Sequence, residues 1–538
     1  MSILLRYEQA REEGWAANMS AMVQYSRPPE RSVGRSSLPS LRRGLRVACL
    51  LLLVNGRLLA AQQPPSGATP QPVAPAPPLV ARLGALDVSI NWRSRIERWR
   101  WFDGGTGDGQ YPFGHSLLRL ALGQTRSRLA WQVEASQVTI LGLPQTAVAP
   151  APLGQLGLGG TYYAANGNTS NTASLFVKQA YVQLRLRGPL TLTVGRFEFF
   201  DGVEARSSDA TLTTLVQTRL AHRLISNFGF TAAQRSFDGA QFAWSAGSNS
   251  LTALAARPTR GIFQVDGMGE LDVQVYYGAF NKATRGQHGA GSLRLFGVGD
   301  VDTRSTVLKS DNRPAAVRAA DQGAIKIATW GADYVHVFKT QRWGVVDVLG
   351  WGVVQAGTWG DLAQRSGAFV GEAGWQLSSR TVKPWVSAGY SYGSGDRDPR
   401  DARHGTFMPL LTTPRQYARF PFYNMMNNTD AYTTFSLRPV SKLAVRSELH
   451  RLGLANGADL WYLGGGAFQQ STFGYTGRPS NGRRDLASVW DVSADYPLTR
   501  SLSATLYYAH AAGRHVIDSI YTTDGAGRLA YVETTLRF

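Results

Sequence analysis

The side chains in this sequence best able to do chemistry are arginines set among apolar residues at every second position. The run "LDVSINWRSRI" places Arg93 and Arg95 opposite Leu86, Val88, Ile90 and Trp92. Arg128, Gln132 and Glu134 oppose Leu129, Trp131 and Val133. Arg185 opposes Val182, Leu184 and Leu186, and Arg119 sits in a similar run. "KLAVRSELH" sets Arg446, Glu448 and His450 against Leu443, Val445 and Leu449. A guanidinium is permanently charged, and its planar fork of donors matches a carboxylate. An array of them on one wetted face lowers the entry barrier for anions, and many weak contacts let a charged chain bind yet still move. The plainer reading of each arginine is a solvated charge paired with a neighbour. Glu134, Asp272, Glu372, Asp491 and Asp495 are on the same parity and could serve.

Other chemistries find little support. None of the eight histidines sits in a Ser/His/Asp or His/acid arrangement, and "GRPSNG" (477–482) reads as a turn rather than a nucleophile elbow. No phosphate loop, zinc spacing or nucleic-acid module is visible, so no catalysis, cofactor or nucleic-acid partner is expected. Asp396, Asp398 and Asp401 resemble a calcium loop, but the interleaved Arg397, Arg400 and Arg403 oppose that reading. In "LTVGRFEFFDG", Gly195 is expected to bulge its strand and aim Arg196 inward. "RSFDGAQ" then places Arg235 and Asp238 at the start of the next strand. An Arg196–Asp238 pair would fix a constriction or serve as a strut.

Strands must position these side chains. Period two puts one apolar and one polar face on each run. The last run, "AYVETTLRF", sets Ala530, Val532, Thr534, Leu536 and Phe538 against Tyr531, Glu533, Thr535 and Arg537. The same pattern recurs from residue 86 onward and yields about 18 strands, with 16 as the alternative if the short "GSLRLFG" run is discounted. Links after even-numbered strands are mostly short ("GP", "GSN", "PLTR"). Those after odd-numbered strands are mostly long (140–173, 200–234, 298–323, 393–429, 453–485). This is the asymmetry of an all-β, transmembrane antiparallel barrel with short periplasmic turns and long extracellular loops. A propeller would show an internal repeat, and a sandwich would not oppose arginines to an apolar face on nearly every strand. In a closed barrel the last strand pairs with the first, leaving no open edge in lipid.

Composition agrees. Mean hydropathy is −0.19 over 538 residues, because a barrel hides its apolar face in alternation. Formal net charge is +19, which suits anionic partners. "RRGLRVACLLLLVNGRLLAAQQ" has the basic start, short apolar core and small residues of a cleaved secretory signal. It also holds the single cysteine, Cys49, so the mature chain would carry neither disulfide nor thiol-bound metal. The expected organisation is an N-terminal extension plus signal over 1–61, a Pro-rich periplasmic linker over 62–85, and the barrel over 86–538, in a bacterial outer membrane.

Eight stretches, "FVKQAYVQL", "TVGRFEF", "RSFDGAQ", "YSYGSGDRD", "GTFMPLL", "PFYNMMN", "LRPVSKL" and "DLWYLGGG", run in order from about 174 to 466. With them the sequence resembles the alginate-export outer-membrane porin family. The fit is loose at "GRFEF", where Phe197 separates Arg196 from Glu198. The resemblance implies an 18-stranded monomeric barrel with an electropositive constriction that passes an anionic uronate polysaccharide outward. Polymerisation or periplasmic export components would drive it, since no motor is visible. Arg196 and Asp238 occupy matching motif positions; Arg93, Arg95, Arg119, Arg128, Arg185, Arg446 and Glu448 are assigned to the lumen by parity. A general porin for uptake of small anionic solutes remains open beside it, as does a plugged or adhesive barrel.

Overall fold

The computed structural model describes residues 81–538 except 205, 206, 208, 288, 306, 341, 380 and 414–418. The expected leader and most of the Pro-rich linker lie outside the described residues. Eighteen strands close into an antiparallel barrel. The first six are β1 (Leu86–Arg100), β2 (Gln110–Thr125), β3 (Leu129–Leu141), β4 (Thr172–Arg185), β5 (Leu190–Phe197) and β6 (Phe237–Ala246). Then follow β7 (Asn249–Pro258), β8 (Val273–Gly286), β9 (Gly289–Asp302), β10 (Ile325–Thr340), β11 (Gly344–Trp359) and β12 (Leu362–Gln376). The rest are β13 (Trp385–Gly393), β14 (Asn428–Val440), β15 (Leu443–Gly453), β16 (Asp485–Pro497), β17 (Leu502–Gly513) and β18 (Ala526–Arg537). β18 closes on β1 from Asn91↔Arg537 to Arg100↔Arg528. Closure pairs the backbone groups that would otherwise be orphaned in lipid.

Alternation decides which face is which. On β1, Ile96 is 67% exposed while Glu97 is fully buried; on β15, Leu449 is 58% exposed and Glu448 buried. Val354, Leu506 and Val532 are exposed in the same way. The outer face is therefore apolar and the inner face carries the charge, the reverse of a soluble protein and the pattern lipid demands. Among the described residues no helix is long and apolar enough to cross a membrane.

Three local features depart from the simplest reading of the sequence. "GSLRLFG" belongs to a full strand, since β8 and β9 pair continuously from Gly286↔Gly289 to Val273↔Asp302. The stretch before that run is mostly strand, which removes the sixteen-strand alternative. The β3–β4 pairing slips at Glu134/Ala135, so that Lys178 and Gln179 are both buried in succession. Such a bulge re-aims one side chain without ending the strand. Gly195, by contrast, makes no bulge: β5 pairs unbroken with β4 and β6 on either side. Its φ is +123°, and a Cβ there would lie 2.4 Å from the Ala180 carbonyl oxygen, so glycine is required by close backbone approach.

Candidate functional site: a partition across the lumen

The segment 198–236, between β5 and β6, does not stay at the rim. It bonds in turn to β1, β2, β4, β9, β10, β12 and β15, which it can reach only by crossing the lumen. Arg93 donates to the carbonyls of Gly229 and Thr231, and Arg95 donates to Phe230 O at 3.1 Å. Arg119 on β2 reaches Gln234 at 3.1 Å and Glu198 at 2.9 Å; the bulged Lys178 on β4 donates to Gln234 O at 2.9 Å. On the far side Arg294 of β9 pairs with Asp201 (3.5 Å) and Glu204 (3.6 Å), and Lys339 of β10 pairs with Asp209 at 2.5 Å. Arg219 then reaches Glu372 on β12 at 2.6 Å and Glu448 on β15 at 3.3 Å.

The segment's own sequence makes this possible. Asp209 caps a short helix, Ala210–Leu215, by accepting from Leu212 N at 3.0 Å, and a π-helical turn over Val216–Leu220 follows. Leu212, Leu215 and Leu220 are buried, which seats the helix and brings Arg219 to the two wall carboxylates. Asp201 accepts from Leu224 N and Ile225 N at 3.1 and 3.0 Å and folds the chain back. The other long links brace it: Ile225 bridges Leu411, and Arg235 donates to Gly466 O at 2.5 Å.

At mid-lumen, cations and rings alternate. Arg95 lies 3.7 Å from the Phe230 ring centroid and 4.8 Å from that of Tyr531. Tyr531 stacks on Tyr507 at 4.8 Å and 21°. Arg419 lies 5.4 Å from the Tyr507 ring and donates to Ser493 Oγ at 2.8 Å. This stack and the crossing segment separate two recesses. The one at the short-turn end is lined by Arg219, Arg419, Arg438 and Arg446, and among the described residues its lining carboxylates are Glu372 and Asp495. The one at the long-loop end is lined by aromatic and hydroxyl side chains and one guanidinium, Arg478.

The residues singled out from sequence divide into three groups. Arg93, Arg95 and Arg119 face the lumen but are engaged, Arg95 with Glu533 (2.5 Å) and Glu97 (3.2 Å), and Arg119 with Glu134 at 2.5 Å. They hold the partition instead of forming an open ring. Arg446 lines the short-turn recess and pairs with Glu448 beside it. Arg128 and Arg185 are exposed at the short-turn rim, away from both groups. Asp272 is likewise exposed, outside β8.

Arg196 and Asp238 also stand apart. They form a bidentate pair at 2.7 and 2.6 Å, on the cross-strand row Ala180–Arg196–Asp238–Arg257. That row shares the face of exposed Val194, whereas buried Thr193, Phe197 and Phe237 point inward. Without a bulge at Gly195 the phase is unshifted, so the pair braces the outer side of the wall and does not fix a constriction. In the Asp396 loop, Asp398 and Asp401 accept backbone N–H groups from Arg400 and Arg403 in tight turns. Among the described residues no carboxylate or histidine group has the arrangement of a metal site.

Sequence reasoning passed over Lys178, Arg219 and Arg419. The signal for Arg219 was present: Asp209 three residues before Leu212, then no glycine or proline until Gly229. For Lys178 it was two adjacent polar residues in "FVKQA", which strict alternation forbids.

A closed antiparallel barrel with an apolar outer face and a long link folded into its lumen is the architecture of a porin-type channel. The chain belongs to the alginate export family, whose model matches residues 86–516. No curated protein matches it by sequence. Among solved structures it resembles OccAB2 of Acinetobacter baumannii (TM-score 0.53, 9% identity, 85% of this chain and 100% of that one). It also resembles OccK9 (OpdG) of Pseudomonas aeruginosa (TM-score 0.50, 11% identity, 84% and 98%). A third is Pseudomonas aeruginosa OpdK, solved with vanillate (TM-score 0.50, 9% identity, 84% and 98%). At these identities the likeness is one of fold.

Proposed function

We propose that this chain is an outer-membrane porin, short turns toward the periplasm, whose lumen favours anions and passively exports a carboxylated, alginate-like polysaccharide. The observation that carries the reading is the short-turn recess, where four guanidinium groups line a cavity with the carboxylates Glu372 and Asp495, and buried Glu448 behind the wall pairs with Arg219 and Arg446, a surplus of one positive charge. A cavity with a surplus of fixed positive charge and low-dielectric walls concentrates anions at its mouth. Each uronate unit brings one carboxylate, and guanidinium and hydroxyl contacts replace its hydration piecemeal, so a chain can step from site to site. One chain builds both recesses, so a monomer suffices. The lipid bilayer, the polysaccharide and periplasmic export components are its partners.

A second reading is uptake of small anionic solutes. It is favoured by the crossing of the lumen by 198–236, which narrows the path, and by the likeness to a barrel solved with vanillate. Single-channel recording of the refolded barrel in a planar bilayer separates the two. Oligouronates added at the short-turn side should interrupt the current, less so in Arg419→Gln and Arg446→Gln. Current indifferent to oligouronates but reduced by vanillate would transfer the case to the second reading; a barrel that never conducts would sink both.

A further inference from the structure

The two recesses differ in chemistry. The long-loop recess carries the rings of Trp101, Phe228, Phe230, Phe263 and Phe468 and, among the described residues, no carboxylate. Its one cation is spent: Arg478 donates to Pro152 O at 2.7 Å and to Gln155 O at 2.8 Å. The rings are fixed in place, Phe263 meeting Phe228 and Phe468 edge-on at 5.7 and 5.1 Å. Between them stand hydroxyl and amide groups of Thr472, Thr476 and Gln469, while the Thr231 hydroxyl is spent on the Phe228 and Ala233 carbonyls.

We propose that this recess is a saccharide subsite that reads ring faces and hydroxyls, independent of charge. A pyranose ring has an apolar C–H face that packs on an aromatic face, and a rim of hydroxyls that needs partners. Rings interleaved with threonines offer both. A purely aromatic solute would use the rings and leave the threonine and glutamine groups desolvated without partners, which is costly. The inference rests on the porin reading for its place on a transport path, and on nothing about anion selectivity.

The test is calorimetric titration of maltohexaose, a neutral oligosaccharide, into the full refolded barrel in a detergent that contains no sugar. Binding is expected, weakened about fivefold in Phe468→Leu, which keeps apolar bulk but loses the ring face. Thr472→Val, which keeps shape and loses the hydroxyl, should weaken it to a similar degree. Arg446→Gln, at the other recess, should leave it unchanged. No binding, binding untouched by both Phe468→Leu and Thr472→Val, or binding lost in Arg446→Gln overturns the proposal. Because the probe is uncharged and no current is read, this outcome is independent of the oligouronate experiment.

Discussion

Removing Arg93 distinguishes an anchor from a pore-lining charge. Its guanidinium donates to two carbonyls of the crossing segment, Gly229 and Thr231, while its nearest carboxylate, Glu533, is 3.8 Å away. A hydrogen bond from a charged donor is worth about 1.5–3 kcal/mol net. Taking the lower figure, Arg93→Ala removes about 3 kcal/mol of tether, a shift of about 150-fold in the ratio of seated to released segment. Arg95 still holds Phe230 O at 3.1 Å, so the barrel should fold and the segment should flicker. In single-channel records of Arg93→Ala, long-lived higher-conductance levels should appear that wild type visits rarely. An open ring of arginines makes the opposite forecast: unchanged conductance with weaker anion preference. Wild-type conductance levels in a folded Arg93→Ala barrel would refute the tether.

Arg219→Gln should act like Arg93→Ala from the far wall, since it leaves buried Glu372 without a cation and takes one of its cations from buried Glu448, which keeps Arg446; a loss of about 3 kcal/mol is expected, read by urea unfolding in detergent. Val532→Arg, on the exposed lipid face of β18, should cost about 3 kcal/mol of folding free energy in bilayers, read by equilibrium refolding titration. His404 in the 394–427 link is stacked on Trp359 at 4.0 Å, and burial lowers its pKa from 6.5 to about 3. The folded link therefore holds it neutral, so stability from this group is full above pH 6.5 and falls, by about 1.4 kcal/mol per unit, as pH drops toward 3. Hydrogen exchange across 394–427 should accelerate over that window in wild type, and the acceleration should be smaller in His404→Gln.

The barrel was legible because lipid enforces one rule on every strand. Ile96 and Val532 had to be apolar, and Glu97 and Glu533 had to have water or partners, so period two survives along the chain. The rule fails where the backbone slips. At Lys178 a bulge adds a residue to the inner face, and at Arg196 the expected bulge is absent, so parity and motif position give different faces. Parity also tells where a side chain points but not what meets it there. Arg93, Arg95 and Arg119 do face inward, yet the segment that engages them comes from 198–236, far away in sequence. Long links resist sequence reading because their contacts are non-local, and the short capped helix at Asp209 was the one local sign that this link has a fold of its own.

The anion preference proposed for the short-turn recess is read from the ion selectivity of the pore. The direct measurement is the reversal potential of the refolded wild-type barrel in a planar bilayer under a salt gradient, beside the Arg419→Gln/Arg446→Gln double variant. A potential of the sign that marks anion permeation is expected in wild type, moving toward zero in the double variant. A cation-selective wild type, or an anion preference the double variant leaves intact, would contradict it.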